Sequence, residues 1–305
     1  MQKKGLSILI PVYNHNVIKL IEALNQEAKT LDIPFEIRCY DDASDKEFRK
    51  KNRELKKLKN VVYKELEENI GRSKIRNLLA QESEFKDLLF IDGDSKVNSG
   101  SYLNKYVFAA FSHDVLIGGT TYSSKLSNPE YILRWKYGRQ REELSAEDRN
   151  KKPFVNFTLN NLFISRNIYL TYQLDENITT YGHEDTKFGF MLKNGNVQIR
   201  HIDNPVEHVG LETNEEFLTK TEASVKNLYK LSKQNFGLES KLFLYYRFLK
   251  RFSLNKIFNS VYGLFSKRIE KNLNSHHPHL FFFDLYKLNL MLIESQRKKA
   301  SRQAA

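Results

Sequence analysis

Four short, mainly apolar strand-like runs alternate with helical patterns between Leu6 and Asp92, and that alternation leaves the chain few architectures. Leu6 to Val12 ends at the turn-prone Asn14 and Asn16, after which Val17, Ile18, Ile21 and Leu24 recur at helical spacing. Phe35 to Tyr40 predicts a second strand, Asp41 to Asp45 a loop, and Lys46 to Leu58 a charged helix. Val61 to Leu66 predicts a third strand. Asn69 and Gly71 then precede a helix with Ile75, Leu78 and Leu79 on one face, and Leu88 to Ile91 predicts a fourth strand ending in Asp92. Short, mainly apolar strands alternating with helices predict an α/β fold with a mainly parallel sheet covered by helices on both sides. In open sheets of this kind ligands bind beyond the carboxyl ends of the strands. Pro11 to Asn14, Asp41 to Ser44 and Asp92 to Asp94 all fall at such ends, so three separated segments can converge on one crevice.

Further along, Asn156 to Ser165 predicts a strand, Glu184 to Lys193 a helix with an acidic start, Val197 to Ile202 a strand and Glu215 to Leu231 a helix. Gly118 to Tyr137 interleaves aromatic and polar residues, including the sole tryptophan, Trp135, and predicts no element. A chain of 305 residues that is 40% hydrophobic can bury one full α/β core with a modest appendage. Its net charge of +12 is uneven: residues 241–305 hold 13 Lys and Arg against 3 Asp and Glu, which leaves +2 for the rest. The expected division is therefore a domain over 1–240 and a basic, aromatic-rich helical extension over 241–305. Cys39 is the only cysteine, so no intramolecular disulfide is expected, and a cytoplasmic setting fits. The run Leu6 to Val12 reads as a first strand rather than a signal peptide, and no stretch approaches the ~18 apolar residues of a membrane-spanning helix.

The sharpest local feature is Asp92-Gly93-Asp94 at the end of an apolar strand. Alternation would put both carboxylates on one side of an extended chain, where like charges repel unless a hard divalent cation holds them ionised. The plainer alternative is an acidic turn, since Asp-Gly favours turns. Downstream, Tyr181-Gly182-His183-Glu184-Asp185 puts two acids where a helix begins. Acids there stabilise the helix dipole, and one of them could also accept a proton from a reacting hydroxyl. His208 follows a predicted strand and could complete a metal shell or simply pack. Arg72 and Arg76 lie one turn apart on a helix whose start, after Gly71, suits anions.

Taken together, Ile8 to Asn14, Asp41-Asp42-Ala43-Ser44, Asn69-Ile70-Gly71 with Arg76-Asn77, and Asp92-Gly93-Asp94 resemble, in order and spacing, the family 2 glycosyltransferases of the GT-A fold. The Gly-His-Glu-Asp segment and His208 carry the likeness to about residue 210, nearest the galactosyl- and N-acetylhexosaminyl-transferring branch. The resemblance implies an inverting, metal-dependent transfer from a nucleotide-diphosphate sugar, with UDP as the nucleotide, to a glycan or lipid-linked glycan acceptor in bacterial surface polysaccharide synthesis. Pro11, Tyr13 and Asp42 would surround the base and ribose, with Gly71, Arg72, Arg76 and Gly93 also on the nucleotide-sugar side. Asp92 would contact ribose or a metal-bound water. Asp94 and His208 would ligate Mn2+ or Mg2+, Asp185 would be the general base, and Glu184 would bind the acceptor. Tyr181-Gly182-His183 departs from the family's Trp-Gly-Gly, and His183 competes with His208 as a ligand.

Beyond the resemblance, Leu254, Ile257, Phe258, Val261, Tyr262 and Phe265 form a helical stripe with Lys256, Lys267 and Arg268 off it. Such a helix either lies on an anionic membrane surface, giving peripheral contact at the inner face of the cell membrane, or docks on the catalytic domain. Phe281 to Phe283 is expected to be buried, and His276-His277-Pro278-His279 reads as a polar loop. The competing classes are a haloacid-dehalogenase-type phosphatase, which also places Asp-x-Asp at a strand end, and a non-catalytic module whose tail binds membrane or nucleic acid. With the charge confined to the tail, no nucleic-acid partner is expected for the transferase.

Overall fold

A computed structural model describes residues 3–234 and 240–303, with side chains to residue 297. Residues 235–239, just before the expected boundary at 240, lie outside the described residues. The elements run β1 (Lys3–Val12), α1 (Ile18–Ala28), β2 (Phe35–Asp41), α2 (Lys46–Asn52), β3 (Val61–Glu65), α3 (Arg72–Glu82) and β4 (Phe85–Ile91). They continue β5 (Ser95–Lys96), α4 (Tyr102–Ala109), β6 (Val115–Ile117), β7 (Thr120–Thr121), α5 (Ile132–Tyr137), α6 (Ala146–Asn150), β8 (Asn161–Ser165), α7 (Arg166–Tyr172) and α8 (Glu184–Asn194). The last are β9 (Arg200–His201), β10 (Val206–His208), α9 (Asn214–Leu231), α10 (Lys241–Arg251), α11 (Asn255–Leu273) and α12 (Leu280–Gln303). Two compact units result: Met1–Ser123 with Glu142–Thr179 and Glu184–Gly210, and Ser124–Arg141 with Thr180–His183 and Leu211–Ala305.

The first unit is built on a seven-stranded sheet in the order β3-β2-β1-β4-β8-β6-β9. β1 is parallel to both β2 and β4, and β2 to β3. The continuous apolar character of β1 follows from its central place: Leu6, Ile8, Leu9 and Ile10 are fully buried, alternating between the two faces of the sheet. Ile8 and Ile10 join the cluster with Leu24 of α1, and Leu9 joins the opposite cluster with Ile75 and Leu79 of α3. The expected mainly parallel sheet is in fact mixed, because β8 runs antiparallel to both β4 and β6. The strand expected from Asn156 begins only at Asn161, and that expected over Val197 to Ile202 shortens to Arg200–His201. The expected helix from Lys46 to Leu58 becomes α2 followed by a 3-10 turn, Arg53–Lys57.

A second sheet, β5-β10-β7, is made of strands only two or three residues long. Strands so short carry no period, and they pair because a buried polar network holds their flanks. Fully buried Asn161 accepts from the Tyr102 hydroxyl at 2.5 Å and the Tyr106 hydroxyl at 2.6 Å, and donates to the carbonyls of Gly119 at 2.8 Å and Asn204 at 2.9 Å. All four side-chain hydrogen-bonding positions of the amide are thereby used. The network ties β8 and α4 to the segments leading into β7 and β10.

The second unit is helical. Leu133 of α5 and Phe217 and Leu218 of α9 pack in one cluster with Tyr262, Ile269 and Leu273 of α11 and Phe283 of α12. The segment that predicted no element thus supplies β7, a 3-10 turn at Pro129–Tyr131, and α5, which carries Trp135. Of the three phenylalanines expected to be buried, only Phe283 is, at 1% exposure, while Phe281 is 58% exposed. Consecutive residues on a helix point about 100° apart, so a triplet cannot share one face. No helix among the described residues is long and apolar enough to cross a membrane.

Candidate functional site

The loops after β1, β2 and β3 are laced together by short polar side chains. Asn14, in the left-handed region at φ 49°, donates its backbone N–H to Ser44 Oγ at 2.8 Å and accepts from the Asp45 N–H at 2.8 Å. Asp41 is fully buried and accepts from the Ser44 N–H at 2.7 Å and from the Tyr63 hydroxyl at 3.0 Å. Asp42 takes the N–H of Ile70 on one oxygen at 2.7 Å and that of Gly71 on the other at 3.0 Å. Burial pushes the Asp42 carboxyl up, against the pull of those two amides. Asp42 therefore sets the loop that carries Gly71, whose φ of +86° opens α3, and each oxygen keeps a lone pair for a further donor. Tyr13 stands 57% exposed beside this loop cluster, and Pro11 is half-buried. A hollow lined by Leu66, Glu67, Glu68, Ile70 and Leu78 contains none of the expected site residues.

Asp92 to Ser95 is a turn, closed by the Ser95 N–H on the Asp92 carbonyl at 3.1 Å. Gly93 lets it approach β1: a Cβ there would sit 3.1 Å from the Pro11 carbonyl oxygen. The turn corrects the expectation that both carboxylates share one side of an extended chain. Asp92 ion-pairs with Arg76 and Asp94 meets His208, while Arg72 acts on both. Arg76, 2% exposed, ion-pairs with Asp92 and also donates to the Arg72 carbonyl at 3.0 Å. Arg72, with its side chain 47% exposed, reaches Asp92 at 3.8 Å and donates through Nε to Glu184 Oε1 at 2.6 Å. The pair of arginines expected to await anions is thus already engaged with carboxylates. Deleting Arg76 would leave the half-buried Asp92 with Arg72 as its cation at 3.8 Å, at a cost of up to about 3–5 kcal/mol on the precedent of buried pairs.

Asp94 reaches His208, with Oδ2 and Nε2 3.1 Å apart, because β10 pairs antiparallel with β5 and sets His208 opposite Ser95. Burial would raise the Asp94 carboxyl, but the hydrogen bond and charge of His208, with Arg72 and His15, more than reverse this and hold it below the usual range. Nδ1 of His208 is buried with no hydrogen-bond partner, and Tyr122 packs edge-on to the ring at 5.6 Å. His15, on the loop after β1, interacts electrostatically with both Asp94 and His208, and burial lowers its pKa. Sequence reasoning passed over His15, whose one signal was its place in a strand-end loop. It also left Gly210 without a role. A Cβ at Gly210 would lie 2.6 Å from the Asp94 Cβ, closer than real contacts allow, and 3.0 Å from its Oδ2. Gly210→Ala is therefore expected to push Asp94 off His208 while leaving the main sheet intact. The check is a melting temperature within a few degrees of wild type alongside a loss of metal-dependent donor binding.

Among the described residues no group of three or more His, Cys, Asp or Glu side chains is placed to hold a metal. Asp94 and His208 nevertheless fit as a two-residue set. Two ligands at right angles, each about 2.1 Å from one cation, lie about 3 Å apart, and Mg2+-like ions take the rest of their shell from water and phosphate oxygens.

Glu184 and Asp185 open α8 after two residues in the left-handed region, Gly182 at φ 96° and His183 at φ 71°. The two acids have opposite environments. Burial works to raise Glu184, but Arg72 and Arg76 outweigh it and keep the carboxyl low, with Oε2 buried and without a hydrogen-bond partner. Burial, helped by the charge of Glu184, raises Asp185 to about 6, although Oδ1 accepts the Thr186 N–H at 2.6 Å. Adjacent carboxyls pushed apart in this way suit one to stay charged and the other to exchange a proton near neutrality.

No curated protein matches by sequence. Among solved structures, S. aureus TarS 1–349 in complex with UDP is similar at a TM-score of 0.51 and 18% identity, over 77% of this chain and 67% of that one. TarS 1–349 alone gives 0.51 and 17%, over 99% and 92%. The mannosyltransferase PcManGT from Pyrobaculum calidifontis, in complex with GDP-Man and Mn2+, gives 0.53 and 12%, over 77% and 66%. This chain covers 40% of a longer TarS chain. At such identities the likeness establishes the GT-A fold. The pattern of Glycosyl transferase family 2 matches residues 7–169, more than half of the chain, from within β1 into α7. With the strand-end loops in the expected order, and that match in place of a phosphatase, the chain belongs to glycosyl transferase family 2.

Proposed function

We propose that this glycosyltransferase is inverting and metal-dependent, and that it moves a hexose or N-acetylhexosamine from a UDP-sugar to a hydroxyl of a glycan or lipid-linked glycan in bacterial surface polysaccharide synthesis. The observation that carries the reading is the pairing of Asp94, in the turn before β5, with His208 of β10, while Asp185 is held with a raised pKa after Glu184. The donors named with the neighbours, UDP and GDP-Man, support a nucleotide-diphosphate donor.

In this reading Pro11, Tyr13 and Asp42 border the base and ribose, and Gly71 and Gly93 let the backbone come close to the nucleotide. Asp94 and His208 hold Mn2+ or Mg2+, which when bound supplies positive charge to the departing diphosphate. Arg72, the more exposed of the two arginines, lies within reach of that diphosphate, and Arg76 keeps Asp92 in place beside it. Glu184 binds the acceptor. Asp185 takes the proton from the acceptor hydroxyl as its oxygen bonds to the anomeric carbon, and the bond from that carbon to the diphosphate oxygen breaks. Attack opposite the leaving group inverts the anomeric centre. The enzyme would work in the cytoplasm, peripheral to the inner face of the cell membrane, with the catalytic domain at 1–240 and the basic extension at 241–305.

The test is a thermal-shift panel of UDP, GDP, UDP-GlcNAc, UDP-galactose and GDP-mannose, each with and without manganese. A uridine nucleotide at 100 times its Kd should add about 2.7 kcal/mol of stability, a shift of several degrees, and only with metal present. A flat response across the panel would sink the donor reading, and a metal-independent shift would remove the Asp94–His208 assignment.

A further inference from the structure

The apolar stripe expected on the C-terminal helices divides in two. On α11, Phe258 and Tyr262 turn inward and pack with Ile269 and Leu273 against the cluster that includes Phe283 of α12. Ile257, Val261 and Leu264, at i, i+4 and i+7, face the other way and are 62%, 51% and 80% exposed. On α10, Tyr246 is buried and meets the Tyr229 ring edge-on at 6.1 Å. The opposite side of α10 shows Leu244, Tyr245 and Phe248, followed by Phe252, each more than half exposed. Exposed apolar residues are normally scattered singly. Here they recur at helical spacing on two consecutive helices, each of which already has an inner face to pack with.

The charge on these helices has one sign. Between Ser240 and Asn274 there are eight Lys and Arg and a single acid, Glu270. Lys241, Arg247, Arg251, Lys256, Lys267 and Arg268 are all exposed alongside the apolar residues. A partner must therefore offer negative charge and an apolar interior together. Single-stranded nucleic acid would engage cations and aromatic rings by stacking, but it gives aliphatic Leu244, Ile257, Val261 and Leu264 nothing to do. The boundary between anionic headgroups and acyl chains accepts all of them.

We propose that α10 and α11 are the membrane-docking element of this chain, with Leu244, Phe248, Ile257, Val261 and Leu264 entering the headgroup boundary of an anionic bilayer and the neighbouring Lys and Arg meeting its lipid phosphates. This rests on the peripheral placement proposed above and gives it a surface.

The test uses the full chain and sedimentation with vesicles of phosphatidylcholine alone or with one third phosphatidylglycerol. Wild type should partition onto the anionic vesicles only, and 1 M salt should weaken the binding. Lys267→Gln with Arg268→Gln should lower the partition coefficient about 25-fold, on the roughly fivefold expected per cation. Phe248→Ser with Leu264→Ser should lower it by at least ~100-fold, given about tenfold per large apolar side chain withdrawn. Both variants should keep the wild-type melting temperature and the wild-type response to UDP, which separates lost docking from lost folding. Equal binding to neutral vesicles, no binding by wild type, or unchanged binding by both variants would overturn the proposal. So would tighter binding to a single-stranded RNA oligonucleotide, or concentration-dependent self-association that Phe248→Ser with Leu264→Ser abolishes while vesicles stay unbound. If wild type docks on vesicles but shows no response to any nucleotide, the donor reading fails and the docking surface stands.

Discussion

Replacing Asp185 with asparagine is expected to cut turnover by about 10² to 10⁴-fold while leaving donor affinity in place, the size of effect usual for a lost general base. Asparagine keeps the shape of the side chain and cannot take the acceptor proton. The pH dependence gives a second readout. A base must be ionised to act, so the wild-type rate should rise with pH through the raised Asp185 value of about 6 and level off above it. The asparagine variant should lose that acid limb along with its rate. Stability should move the opposite way. A carboxyl whose folded pKa is raised binds its proton more tightly folded than unfolded, so its stabilising contribution is present in acid and is lost as pH climbs from the unfolded value, about 3.9, toward 6. At neutral pH the ionised Asp185 is a cost to the fold, and Asp185→Asn should melt no lower than wild type. Near-full activity in Asp185→Asn would sink the base assignment, and a lowered melting temperature would leave a rate loss open to a folding cause.

Asp94→Asn is expected to abolish metal-dependent transfer, with kcat/KM down about 10² to 10³-fold or more, as when one preorganised electrostatic contact to a transition state is removed. The substitution keeps the volume under Gly210 and a hydrogen-bonding partner for His208, so packing should survive. What goes is the negative oxygen that a hard cation requires. The measurement is the thermal response to UDP with increasing manganese: a metal-dependent rise in wild type and a flat line in the variant. If Asp94→Asn kept the manganese-dependent rise, the cation would have to be held elsewhere. The contrast with Asp185→Asn is the sharper result, since one variant should lose metal-assisted donor binding and the other should retain it.

Much of the first unit was legible because burial leaves a periodic trace. β1, β2 and β4 lie inside a covered sheet, so the buried stretches Ile8 to Ile10 and Leu88 to Ile91 are apolar on both faces, while β2 interleaves Ile37, Cys39 and Tyr40 with Glu36 and Arg38, and α1 and α3 bear one apolar stripe each. Of the two readings of the Asp-Gly-Asp segment, the structure has the turn, which also delivers Asp94 to His208. The direction of β8 was not legible, because a strand buried on both faces has the same composition whichever way it runs. Nor could the C-terminal helices be read as one stripe, since Phe258 and Ile257 are adjacent in the sequence and turn to opposite sides.

What the sequence determined by itself was the order of the strand-end loops and the kinds of side chain they carry, because strand, loop and helix signals are local. What the tertiary structure decided was who meets whom. Arg72 and Glu184 are 112 residues apart and Asp94 and His208 are 114 apart, and no local period encodes such separations. The Asp94–His208 contact exists because β10 pairs with β5, next to segments that Asn161 holds by satisfying two tyrosines and two carbonyls. His15 and Gly210 acquired their roles in the same way, through closeness to Asp94 that only long-range pairing creates.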